Sequence, residues 1–223
     1  LVEQIISSHS EVSGLGETNF LNSLINRIFF NKKNDKCEYV LNGTDHNKLN
    51  TIYKEYFDII SYFENKEKCF TDKSLLNFQW IGFIKIIFPN AKVINCIRDP
   101  KNNCLSIYKN LFDHEGAWCY EKKELTQYYK LYSNLMAFWQ DKMPNFIYDI
   151  KYENLIKDPI NQIKSLIKAT NLTWDEKCLN FEKNKSAIKT LSVNQARNKI
   201  YSSSIRSYDN YKDFTKNLFS DLD

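Results

Sequence analysis

The sequence predicts an α/β fold, a parallel sheet flanked by helices, and three observations carry that prediction. Short segments of strand length, at 68–73, 92–97 and 145–152, are separated by longer stretches with apolar residues at helical spacing. The run ending at Ile97 passes straight into Arg98-Asp99-Pro100, a helix start placed at a strand's carboxyl end. The composition, 43% hydrophobic with 15 Phe and 14 Tyr in 223 residues, is that of a chain with a real core. In folds of this class ligands bind beyond the carboxyl ends of the strands.

The elements follow in order. Val2, Ile5 and Ile6 share a face, so residues 1–9 read as the tail of a helix with no start signal ahead of it. The chain is therefore expected to open inside an element. "EVSGLGET" (11–18) holds two of only five glycines and reads as a turn. Phe20, Leu21, Leu24, Ile25 and Ile28 form a helical stripe, residues 31–47 are polar and loop-like, and 49–63 are helical again. After the short strand at 68–73, Leu75 to Phe88 predicts one apolar helix, stopped by Pro89-Asn90. Asp99 can cap the next helix, with Pro100 at its first position, where a missing N–H costs nothing. Leu125, Tyr128, Tyr132, Leu135, Met136 and Trp139 predict a long helix over 122–143. A strand over 145–152 and a helix opened by Asp158-Pro159 follow, and 175–189 is expected to be helical. Residues 190–210 are polar, serine-rich and irregular, and there is no internal repeat or linker, so 1–223 reads as one domain.

The bulk numbers exclude several classes. A net charge of +4 is too small for a dedicated nucleic-acid binder and mildly favours an anionic ligand. Six scattered cysteines with no CxxC pair suit reduced thiols in a cytoplasmic setting rather than a zinc site or disulfide scaffold. The histidines at 9, 46 and 114 have no metal-binding spacing. No apolar run reaches the length of a membrane span, and no signal peptide is visible.

The stretch "VINCIRDPKNNCLSIY" (93–108) carries the most specific chemistry. Arg98 stands at a strand end and Ser106 two turns into the following helix, so both can face the sheet's carboxyl edge. A guanidinium fork fits two phosphate oxygens at once and a hydroxyl adds a third bond. An arginine paired with a carboxylate and a solvent-facing serine would satisfy the same spacing.

That stretch also resembles the 3′-phosphate motif of the PAPS-dependent sulfotransferases, PAPS being 3′-phosphoadenosine 5′-phosphosulfate. "LVEQIISSHSEVSGLGET" resembles the segment just after that family's 5′-phosphosulfate loop. "FTDKSLLNFQWIGFIKIIFPNAKVI", "IKYENLIKDP" and "QARNKIYSSSIRSYDNY" resemble later blocks, in the family's order and over nearly the whole chain. The likeness is to bacterial sulfotransferases often fused to tetratricopeptide repeats and, more distantly, to tyrosylprotein sulfotransferases. It implies a P-loop NTPase-like sheet, with a fused repeat domain upstream as an associated expectation. The family's Pro-Arg-Ser-Gly-Thr-type loop, and the strand leading into it, are not in this sequence, and they are expected in residues upstream.

The resemblance implies roles for particular residues. Glu17 matches the acid that the tyrosylprotein branch uses as general base; a helix N-terminal glutamate is the plainer reading. Lys73 matches a lysine near the transferring sulfuryl group, where a cation offsets charge on the leaving oxygen; a surface lysine is the plainer reading. The family often has proline two positions after that lysine, and this chain has Leu75. Arg98 and Ser106 match the pair that holds the 3′-phosphate. Tyr152 matches a tyrosine near the nucleotide, compatible with a core aromatic at a strand end. Ser192 and Arg197 match a segment that closes over the nucleotide, although Lys199 stands where proline is frequent; Arg206 belongs to the same lid or to the surface.

The expected activity is transfer of a sulfuryl group from PAPS to a hydroxyl, leaving PAP (adenosine 3′,5′-bisphosphate), with no metal required. The acceptor class stays open among a tyrosine in an acidic peptide, a sugar hydroxyl and a small alcohol. A non-catalytic PAP-binding or scaffold domain is the main alternative. A nucleotide kinase on the same general fold ranks last, since no acidic strand end stands out as a magnesium ligand.

Overall fold

Two pairs of parallel strands, each continued by helices, organise the chain. The structure, a computed structural model, describes residues 1–33, 36–39, 45–63, 67–110, 116–184, 208–211, 219 and 222. The chain forms two compact units, Leu1–Ala91 with Thr173–Asn198, and Lys92–Leu172 with Lys199–Asp223.

In the first unit α1 (Val2–Ile6) leads into β1 (Val12–Glu17), then α2 (Phe20–Phe29), the hairpin β2 (Phe30–Lys33) and β3 (Lys36–Tyr39), and α3 (His46–Ser61). Next come β4 (Cys69–Lys73), a 3-10 turn (Leu75–Trp80) and α4 (Ile81–Ile87). β1 and β4 pair in parallel. The core lies between α2 and α3, where Leu21, Leu24, Ile25 and Phe29 meet Leu49, Ile52, Tyr56 and Ile60, closed by Trp80. Trp80 donates its indole N–H to Asn22 Oδ1 at 2.9 Å, so its polar atom is satisfied inside that core.

In the second unit β5 (Val93–Ile97) precedes α5 (Pro100–Tyr108) and a long α6 (Lys122–Lys142). β6 (Ile147–Lys151), α7 (Tyr152–Lys157) and α8 (Pro159–Ala169) follow. β5 and β6 pair in parallel without a register break, from Val93↔Ile147 to Ile97↔Lys151. Ile150, Leu155, Ile163, Leu166 and Ile167 are buried beside this pair. The predicted cap of α5 forms: Asp99 Oδ1 accepts from the Asn102 N–H at 2.8 Å, with Pro100 in the first turn.

Five local expectations are corrected. Residues 12–17 form a strand, not a turn, because pairing with β4 outweighs the weak strand propensity of two glycines. Each glycine has a tertiary reason. A Cβ on Gly14 would lie 2.9 Å from the Ser7 Cβ, so the glycine lets the end of α1 come close to the strand at this point. Gly16 has φ 75° at the bulge that shifts the register between Gly14 and Glu17. The polar stretch after α2 contains a hairpin, whose backbone ladder needs no apolar alternation. The expected helix over 75–88 is split, with Ser74 Oγ capping the 3-10 turn through the Leu76 N–H at 3.3 Å. Tyr152 opens α7 instead of ending β6, and the segment after Trp174 is 3-10 over Glu176–Lys183, with Asn180 outside helical backbone angles.

That last segment is fastened to α1 and the turn after it. His9 is 3% exposed; its Nδ1 accepts from the Glu11 N–H at 3.1 Å, so Nε2 carries the proton donated to the Thr173 carbonyl at 2.8 Å. Asn184 Nδ2 donates to Ser7 Oγ at 3.0 Å and to Ser8 Oγ at 3.2 Å.

Candidate active site

The chemistry-bearing residues gather at the carboxyl end of each parallel pair. In the first unit the bulge at Gly16 brings Glu17 opposite Lys73, the last matched residues of β1 and β4. The Lys73 Nζ lies 2.8 Å from Glu17 Oε1. Both side chains are about half exposed, so the contact places the groups and adds at most about 1 kcal/mol of stability. The Thr18 N–H donates to the Lys73 carbonyl at 3.1 Å and keeps the chain paired one residue beyond the bulge.

The strand neighbours hold this end from the opposite face. Asp72 Oδ1 accepts from Thr18 Oγ1 at 2.7 Å and Oδ2 from the Tyr56 hydroxyl at 2.6 Å. Burial pushes the Tyr56 phenol far above its ordinary range, and the Asp72 charge adds to that, so Tyr56 stays a donor. Glu3, in α1, completes the cluster: its Oε1 accepts from the Gly16 N–H at 2.9 Å and from Thr71 Oγ1 at 3.2 Å. Its Oε2 lies 3.8 Å from Lys73 Nζ.

In the second unit the unbroken register sends Arg98 and Tyr152 out of the sheet together, one residue past Ile97↔Lys151. The Arg98 guanidinium lies over the Tyr152 ring, 5.2 Å from its centroid, and its Nε is buried. A guanidinium over an aromatic face gains a cation–π attraction, and its planar fork of donors is of the kind that can bind an oxoanion. One step further the Asp99 N–H donates to Glu153 Oε1 at 2.9 Å, locking β5's exit to the start of α7. Ser106 is half-buried two turns along α5, and its carbonyl accepts from Asn110 Nδ2 at 2.6 Å.

Asn102 links this region to the chain's last segment. It is 8% exposed, donates from Nδ2 to Asp99 Oδ1 at 2.7 Å, and accepts the Tyr208 N–H at 2.8 Å. Phe219 packs with Cys104, Leu105 and Leu125. Burial, then the nearby Asp99, raises the Cys104 thiol to about 12, so it is a packing residue and not a thiolate.

Of the residues named from sequence, the structure joins Glu17 with Lys73 and Arg98 with Tyr152. Ser106 lies on the helix that follows Arg98, while Ser192, Arg197 and Arg206 lie outside the described residues. Sequence reasoning missed Glu3, Asp72, Asn102 and Glu153. Asn102, three residues after a capping Asp, and Glu153, beside Tyr152, had weak local signals; Glu3 had none. Among the described residues no group of three or more His, Cys, Asp or Glu is placed to hold a metal ion. Nor is any helix among them long and apolar enough to cross a membrane.

Two parallel strand pairs flanked by helices, with basic side chains at their carboxyl ends, define an α/β fold of the class whose ligands bind at strand carboxyl ends. The profile of the sulfotransferase family matches residues 1–176, and the chain belongs to that family. The structure matches the sulfotransferase domain from the curacin biosynthetic pathway with a TM-score of 0.57, covering 97% of this chain and 86% of that one. At 12% identity this is a likeness of fold. An uncharacterized protein of Aquifex aeolicus (strain VF5) is 27% identical over 222 residues, 96% of this chain. The chain spans only 29% of that relative's length.

Proposed function

We propose that residues 1–223 belong to a sulfotransferase domain that moves a sulfuryl group from PAPS to a hydroxyl acceptor. The observation that carries this reading is Arg98, lying over the Tyr152 ring at a strand's carboxyl end and followed by a capped helix bearing Ser106. That arrangement suits the 3′-phosphate of the donor, which Arg98 and Ser106 would bind. Ser192 and Arg197 would close over the nucleotide. The acceptor hydroxyl, of a tyrosine in an acidic peptide, a sugar or a small alcohol, attacks sulfur in line with the departing phosphate oxygen. Glu17 takes the proton as the new S–O bond forms, and Lys73 offsets charge on the leaving group. Positioning and electrostatics supply most of the acceleration, as in phosphoryl transfer, and no residue of the scheme calls for a metal.

Calorimetric titration with PAP beside 5′-AMP tests the reading. Tight binding of PAP and weak binding of 5′-AMP supports a site that reads the 3′-phosphate. Equal affinities in the full-length protein would refute it. A non-catalytic PAP-binding domain would bind PAP and transfer no sulfuryl group to any acceptor class.

A further inference from the structure

Lys73 is shared between two carboxylates, and they are not equivalent. Its Nζ lies 2.8 Å from Glu17 and 3.8 Å from Glu3. The Glu17 side chain is 49% exposed, whereas that of Glu3 is 12% exposed. Glu3 is also fixed by two donors at Oε1, the Gly16 amide and the Thr71 hydroxyl. A carboxylate gripped by two hydrogen bonds in a closed setting keeps its position, while a half-exposed one can rotate toward a substrate.

We infer that Glu3 is a positioning residue: it keeps a permanent counter-charge beside Lys73, so the ammonium stays at the strand end when Glu17 leaves it. The inference rests on the roles proposed above for Glu17 and Lys73. In the transfer step the acceptor O–H gives its proton to Glu17, the acceptor oxygen bonds to sulfur, and the sulfur–phosphate oxygen bond breaks with its electron pair on the phosphate. Glu17 is then neutral, and its hold on Lys73 is lost at the moment when a cation is needed near the departing oxygen. Glu3 supplies the hold that remains. Its bond to the Gly16 amide ties the same carboxylate to the bulge that aims Glu17, so one residue sets both partners.

Glu3→Gln separates charge from structure. The amide oxygen can still accept from Gly16 and Thr71, while the negative charge is gone. Acylation of lysines in the full-length protein, followed by peptide mapping, reads the reactivity of Lys73 against the exposed Lys85 as internal control. Glu3→Gln should raise Lys73 reactivity about five-fold, the effect of one screened charge at this range. In a Glu17→Gln background the same change should raise it at least as much again. Unchanged Lys73 reactivity in both backgrounds overturns the inference. Should Glu3→Gln fold poorly, Thr71→Val removes one of the two donors to Glu3 Oε1, leaves the Gly16 amide in place and keeps the charge, so the carboxylate is held less firmly beside Lys73. A rise of about two-fold is then expected, and no rise counts against the inference. In turnover assays Glu3→Gln should lower kcat about ten-fold while PAP affinity stays within two-fold. A wild-type protein that transfers no sulfuryl group sinks the proposed function, but the Lys73 reactivities still decide whether Glu3 holds the lysine.

Discussion

Gly14→Ala puts a methyl group where α1 already touches β1. The added Cβ would lie 2.9 Å from the Ser7 Cβ and 3.2 Å from its Oγ. Carbon atoms pack at about 3.5–4.0 Å, so helix and strand must part by roughly half an ångström or more. Ser7 cannot rotate out of the way, because its Cβ is fixed by the backbone, and its Oγ accepts from Asn184 at 3.0 Å. The helix is also anchored by Ile5 and Ile6, which are buried. Overpacking of this kind costs about 1–3 kcal/mol, and a Cβ-to-Cβ clash belongs in the upper half of that range. Urea unfolding of the full-length protein should show the loss as a lower midpoint at unchanged slope. Ser7→Gly removes the atoms in the way, so Ser7→Gly/Gly14→Ala should recover about 1 kcal/mol or more relative to the sum of the single changes. A wild-type midpoint for Gly14→Ala, or strict additivity in the double variant, would refute the close-approach argument. Because α1 carries Glu3, the same variant should also disturb the Lys73 cluster.

Arg98→Ala should weaken PAP binding about 100-fold, the loss of a charge-assisted pair of hydrogen bonds, and affect 5′-AMP little; calorimetry with unchanged PAP affinity would remove Arg98 from the site. Glu17→Gln should cut turnover at least ten-fold with PAP affinity nearly intact, and full turnover would assign the base to another group. Asp175 gives a pH signature. Burial draws its carboxyl upward, but hydrogen bonds from the Lys177 and Ser10 N–H groups, at 2.9 Å each, outweigh that and hold it at about 2. Being depressed below an unfolded value of about 3.9, it stabilises the fold above that pH and ceases to do so as pH falls through about 2. Solvent screening leaves a contribution of ~1 kcal/mol. Urea midpoints at pH 6 and pH 2.5 should therefore differ less in Asp175→Asn than in the wild type, and equal drops would rule this contribution out.

What the sequence determined by itself is local. The cap at Asp99-Pro100, the apolar run of β5 and the stripes of α2, α3, α6 and α8 are written in neighbouring residues, because capping and amphipathic burial depend on spacings of one to four positions. Arg98 was legible for the same reason, as a cation standing at the end of a recognisable strand, whereas Lys73 was singled out only by the family resemblance. The tertiary structure alone decided the rest. β1 is a strand because β4 lies beside it, and its glycines serve a helix contact and a bulge that no local pattern announces. Glu3 reaches Lys73 across 70 residues of chain, and Asn102 reaches Tyr208 across 106. Partners so far apart are chosen by parallel pairing and helix packing, which bring together side chains whose separation in sequence carries no period to read.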